Sequence, residues 1–282
     1  MKTAAAMILG AAMAVGGCAR TTEAPRPAEA LSYRAPTEVV MDVAANGDAL
    51  VGRELPAEPE SDADRVLSPS WLTRAGRRPW RGGDVLEARW IPGTTAVLTI
   101  TTAHTLTRRE SPDAPAVELD REVFGPLSLD ARGTAVAYTR GDPPMLSLVR
   151  LDLRTGVATA MAPGLVPAWC PALSPDGSEV VLVASPEGHP ALFRVRAGEA
   201  PRPWLLPPGS PLPMGPNAPV VFGDALVFEN ESGVHSLGLD GAPRRSIPGV
   251  RHPVLSADGR SVLAHRDGAL LRWTAGDLES VR

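Results

Sequence analysis

Pro171-Ala172-Leu173-Ser174-Pro175-Asp176-Gly177 is followed by Ser178-Glu179 and the apolar run Val180-Val181-Leu182. An apolar stretch, an Asp-Gly turn and a second apolar stretch form the strongest short-range hairpin signal. Glycine accepts the positive φ of such a turn, and aspartate can hydrogen-bond its own backbone. Three apolar residues without polar alternation imply a strand buried on both faces.

The unit recurs. Pro253-Val254-Leu255-Ser256-Ala257-Asp258-Gly259 leads to Val262-Leu263-Ala264, and Pro126-Leu127-Ser128-Leu129-Asp130-Ala131-Arg132-Gly133 leads to Val136-Ala137-Tyr138. Fainter copies follow Gly47, Gly93 and Gly223, so six glycines lie 36 to 46 residues apart. Further short strands follow in most units, such as 145–153 and 191–196. About 42 residues and four strands per repeat is the size of one propeller blade. Residues 38–282 therefore read as an all-β, six-bladed β-propeller of four-stranded antiparallel blades. Proline and glycine, 30 and 27 of 282 residues, leave little room for helices of ordinary length. With only 23 residues after Gly259, a strand from the N-terminal side is expected to complete the last blade, Glu38–Val43 being an apolar stretch placed ahead of the first turn.

Leu173-Ser174-Pro175-Asp176-Gly177 resembles the repeat of the TolB-like propellers, which are six-bladed and periplasmic. The resemblance is strong in the third, fourth and sixth units and faint in the others, where Gly223-Asp224 reverses the order and Pro92-Gly93 lacks an aspartate. It implies a fold and not a chemistry.

Residues 1–18 read as an export signal. Lys2 supplies the positive start, and Thr3 to Gly17 is an uncharged run too short to span a bilayer. Val15-Gly16-Gly17-Cys18 resembles the lipobox of bacterial lipoproteins, which implies lipidation at Cys18 and anchoring to a membrane. A cleaved secretory peptide with an incidental Cys18 is the alternative. Residues 19–37 read as a flexible tether. Ala19 after the cysteine implies the outer membrane in a Gram-negative host, and otherwise the cell membrane, with the propeller facing the periplasm or exterior.

Charge and composition exclude several functions. The formal net charge is −4 with no basic stripe, which argues against nucleic acid. Lys2 is the only lysine, so phosphate loops of the Walker type and Schiff-base lysines are excluded. No Gly-x-Ser-x-Gly elbow occurs. The five histidines show no metal-ligand spacing, and His252 and His265 are not expected on a shared ligand face. No cofactor or metal is expected. Cys170 has no partner once Cys18 is lipidated, and it reads as a buried small hydrophobe with no histidine near it.

With the Asp-Gly turns on one face, the next loop of each blade emerges on the other, around the channel. Those loops gather the candidate binding rim: Arg140, Asp142, Glu187, His189, Glu229, Glu231, His265 and Arg266, with Asn230 and Asp267 beside them. Ordinary solvated turns are the alternative. The proline-rich stretch 207–216 lies on that face as a connector or docking strip. Residues 54–81, an acidic run followed by Arg74, Arg77, Arg78 and Arg81, read as a mobile insertion in the first blade, with Trp71 and Trp80 packing on its rim. The innermost strands show few carboxylates. These features favour a monomeric binding or scaffolding module for an envelope protein or glycan over a lactonase- or lyase-like enzyme working in the channel.

The export reading makes a direct prediction. The protein should sediment with membranes, and Cys18→Ala should release it, as fractionation and N-terminal mass spectrometry would read. An N-terminal peptide without acyl mass would refute lipidation.

Overall fold

The computed structural model describes residues 38–44, 46–55, 66–73, 75–206, 209–213, 217–256, 259–266 and 269–274. The export signal, Cys18, the tether, most of the acidic run, Arg74, Asp258, Asp267 and half of the proline-rich stretch lie outside them. All described elements are strands, joined as antiparallel meanders.

The first sheet holds β1 (Glu38–Val43), β2 (Ala49–Glu54), β3 (Leu67–Thr73), β4 (Gly76–Pro79), β5 (Val85–Trp90), β6 (Val97–Thr101), β7 (Leu106–Arg109) and β8 (Val117–Asp120). Three four-stranded sheets follow. They are β9 (Val123–Leu129) to β12 (Ala158–Ala160), with β10 (Ala135–Arg140) and β11 (Ser147–Asp152) between; β13 (Ala168–Leu173), β14 (Glu179–Ala184), β15 (Ala191–Arg196) and β16 (Arg202–Trp204); and β17 (Val220–Phe222), β18 (Ala225–Asn230), β19 (Gly233–Gly238) and β20 (Pro243–Pro248). The last sheet has three described strands, β21 (Arg251–Leu255), β22 (Val262–Arg266) and β23 (Ala269–Trp273).

The described residues thus form five sheets, where six separate blades are expected. The first sheet is two meanders, β1–β4 and β5–β8, joined at one residue pair, Leu67 opposite Val85. The cause is a length mismatch: β4 covers only Ser70 to Thr73 of β3, and the uncovered Leu67 end takes β5. Glu38–Val43 does not complete the last sheet either. It pairs with β2 and opens the first sheet, and no N-terminal strand joins β21–β23 among the described residues. The stretch read as a mobile insertion includes β3 and β4, which belong to the first sheet.

The sheets stand around an axis in a propeller arrangement. The inner strands β1, β5, β9, β13, β17 and β21 touch one another in that order, and β21 touches β1. Apolar clusters fill each gap between neighbouring meanders, including the gap between last and first, where Val254 and Leu263 meet Val40, Val43, Val51 and Leu72. The second strand of a meander feeds two gaps, because successive residues point to opposite faces. In β14, Val180, Leu182 and Ala184 enter one cluster while Val181 and Val183 enter the next. That is why its apolar run has no polar alternation.

All six repeat glycines adopt positive φ, from 60° to 86°. Gly133 is the most constrained. Besides its φ of 65°, a Cβ there would lie 2.7 Å from the Pro92 carbonyl oxygen of the preceding meander. Asp130 beneath it is fully buried and accepts from the Thr134 and Ala135 N–H groups at 2.7 and 3.0 Å. Turns also dock on their neighbours, as when Ala131 N–H donates to the Pro175 carbonyl at 3.0 Å.

Gly133→Ala should therefore lose about 2–4 kcal/mol in urea unfolding, strain plus clash. Gly47→Ala, at φ 86° with nothing within 4 Å of the new Cβ, should lose only about 1–2 kcal/mol, the strain alone. Equal losses would show that the turns do not dock.

Candidate binding site

Apart from the single Leu67–Val85 pair that joins β5 to β3, an inner strand has a ladder partner on its outer side only. Backbone N–H groups left on the axial side need acceptors. Polar side chains of the adjacent meander supply them. Asp42 accepts from Trp90 N–H at 2.7 Å, Glu87 from Leu127 N–H at 2.9 Å, Ser128 from Leu173 N–H at 2.8 Å, and Glu229 from His252 N–H at 2.7 Å. Arg89 ties this belt together. Its Nε donates to Glu87 at 2.7 Å and its Nη1 to the Met41 carbonyl at 3.0 Å. Burial pushes the Asp42 carboxyl up to about 6, opposed by the Arg89 charge and by the N–H groups of Trp90 and Val43.

Where the inner strands begin, the channel opens into a cavity of about 400 Å³. Its lining includes Glu87, Arg89, His104, Trp169, Cys170, Asn217 and His252. Local sequence explains how they get there. Proline has no N–H to continue a ladder, so Gly125-Pro126, Cys170-Pro171 and His252-Pro253 each interrupt an inner strand with a register shift. Cys170 and His252 take φ of 48° and 55° at these breaks, and His104 on the neighbouring loop takes 54°. The rings of His104 and Phe124 stack at 4.2 Å. Asn217 Nδ2 donates to Glu229 at 2.7 Å and lies 2.7 Å from His252 Nδ1.

Cys170 is buried, and desolvation together with the Glu87 charge pushes its thiol up to about 12. The thiol stays protonated at neutral pH. His252 and His265, not expected on a shared ligand face, have rings 5.3 Å from each other. Among the described residues no three His, Cys, Asp or Glu side chains are placed to hold a metal ion.

The expected rim divides in two. Glu229 and His265 are buried beside His252, not exposed. The cause is position: both lie within second strands, which are covered on either side. Asp142, Glu187, His189 and Glu231 are exposed on the loops around the cavity mouth, and Arg266 is exposed at the end of β22. Arg140 is half-buried and pairs with Asp120 of the preceding meander at 3.0 Å, where Tyr138 also donates its hydroxyl. Trp71 packs edge-on to Trp90 at 6.1 Å and donates to Asp48, while Arg109 lies over Trp80. Glu87, Arg89, Asn217 and Asp42 were not singled out by sequence. Asp42, Glu87 and Asn217 share a signal, a polar residue five or six positions before the turn glycines Gly47, Gly93 and Gly223, whereas Arg89 stands four before Gly93.

No family model matches the chain, and a search of the curated proteins returns no match. Solved structures do resemble it. A putative TolB of Agrobacterium tumefaciens is 15% identical with a TM-score of 0.58, over 84% of this chain and 88% of the other. A gluconolactonase of Xanthomonas campestris is 15% identical with a TM-score of 0.55, over 84% and 85%. The shared feature is the fold. It is a β-propeller.

The buried carboxyl yields a pH prediction. Asp42 titrates near 3.8 when unfolded and near 6 when folded, so the fold holds the extra proton between those values. Its contribution to stability is complete below pH 4 and is lost as pH rises through 6. Asp42→Asn does not titrate. Relative to that variant, the wild type should lose roughly 3 kcal/mol at most between pH 4 and pH 7, as urea unfolding at each pH would measure.

Proposed function

We propose that this chain is a six-bladed propeller, exported and held at the cell envelope by a lipid on Cys18, that binds a partner through the face around the cavity and performs no chemistry of its own. The cyclic order of six inner strands and the apolar cluster in every gap support the blade count. On this reading β1–β4 and β5–β8 are separate blades that touch at Leu67 and Val85. Val15-Gly16-Gly17-Cys18 supports the anchor.

One observation carries binding over catalysis: Glu87 in the cavity wall and Glu229 behind Asn217 and His252 are already committed. Both oxygens of Glu87 are occupied, by Arg89 Nε and Leu127 N–H. Glu229 holds Asn217, Arg251 and the His252 N–H. A general acid or base must exchange a proton with a substrate, and a side chain that closes the backbone of its own fold is poorly placed to do so. The protonated Cys170 thiol is no better a nucleophile. The convergence of Glu87, Arg89, Asn217 and His252 on one cavity is what favours a lactonase-like reading instead.

A photo-crosslinking residue at Glu187 or Glu231, both exposed on the cavity face, should capture one common partner in the native cell. The same probe at Arg154 or Glu199, exposed on the opposite face, should not. Capture from Arg154 and Glu199 alone would reverse the face. Turnover of a lactone by the purified protein, abolished by Glu87→Gln, would replace binding with catalysis.

A further inference from the structure

The cavity below the rim is a site in its own right, whether or not the rim takes a macromolecule. Its volume of about 400 Å³ falls in the range of roughly 300–1,000 Å³ typical of small-molecule sites. The walls are largely apolar: Val39, Met41, Leu67, Leu86, Phe124 and Trp169. A polar group with unused capacity stands in that wall. Arg89 is 8% exposed, with Nε committed to Glu87 and Nη1 to the Met41 carbonyl, while no described residue accepts from Nη2. Nη2 is not one of the buried polar atoms left without a partner; it is open to water, and a ligand oxygen would take the place of that water as its acceptor.

The charges around Arg89 select the kind of oxygen. Glu87 pairs with the guanidinium at 2.7 Å, and Asp42 faces it from the next strand. A ligand carboxylate would be a third anion against one cation in a desolvated site, and a ligand ammonium would meet the guanidinium itself. A neutral carbonyl oxygen meets neither penalty. We propose that the cavity binds a neutral acyl compound, its carbonyl oxygen accepting from Arg89 Nη2 and its alkyl chain lying against Leu86, Phe124 and Trp169.

Octanamide, octanoate and octylammonium share one chain and differ in charge, so they test the assignment. Each is titrated by calorimetry into the full chain carrying Cys18→Ser. Octanamide should bind, and the two ions should bind at least about tenfold more weakly. Leu86→Trp, which fills the cavity without replacing a belt residue, should abolish binding while unfolding stays cooperative. Arg89→Met should weaken binding about tenfold or more. Because it strands Glu87, the double variant Glu87→Gln/Arg89→Met is read in its place if the single one fails to melt cooperatively. Equal binding of the three probes, octanamide binding that survives Leu86→Trp, or no octanamide binding overturns the proposal. None of these outcomes bears on the crosslinks from Glu187 and Glu231, so the two readings fail separately.

Discussion

The constraint on which this fold depends is the axial edge of its inner strands. A sheet edge normally faces water, where solvent completes its hydrogen bonds. Here the edges face one another across a narrow channel, and among the described residues no two inner strands pair as a ladder. The fold answers with side chains: Asp42, Glu87, Ser128 and Glu229 each take a backbone N–H from the adjoining meander. Apolar clusters hold the sheets together but carry little directional information. The side-chain bonds add it, since each reaches its acceptor at only one relative placement of two neighbours. The cost is a row of polar groups in the core. Arg89 balances part of it, and the raised Asp42 carboxyl records the remainder.

This arrangement also explains why charged groups converge without forming reactive pairs. A carboxylate that receives a donor on each oxygen is fixed in orientation. Glu87 is in that position. The cavity beside it inherits an oriented field and apolar walls, which suit recognition better than proton transfer.

Much of the architecture is legible in the amino-acid order. Each repeat glycine marks a turn of positive φ, and runs such as Val180 to Val183 mark strands that serve two interfaces at once. The site is harder to read, because which residue faces the axis depends on where a strand slips register. Cys170-Pro171 and His252-Pro253 each lie six residues ahead of a turn glycine, at the slip itself. Loop position alone placed Glu229 and His265 among exposed charges, whereas the strands run far enough to bury them. The joining of β3 to β5 was equally hidden, since it follows from the shortness of β4 rather than from any motif. Arg140 shows the same limit: a charge near a loop became one end of a staple to Asp120 on the neighbouring meander.

The place of β1 has a mechanical consequence. Glu38 is its first residue, and the strand pairs with β2 from Glu38 opposite Arg53 to Val43 opposite Ala49. Against the last sheet it is held by side-chain packing, with Val40 and Val43 on Val254 and Leu263. A force applied to the chain ahead of Glu38 therefore enters at the end of an antiparallel pair and peels it one bond at a time, the weakest loading geometry for a ladder. Once β1 lifts, the gap between first and last sheets loses part of its filling. Shear or tension at an attachment point upstream would make β1 a mechanical fuse, yielding while the three four-stranded sheets remain intact.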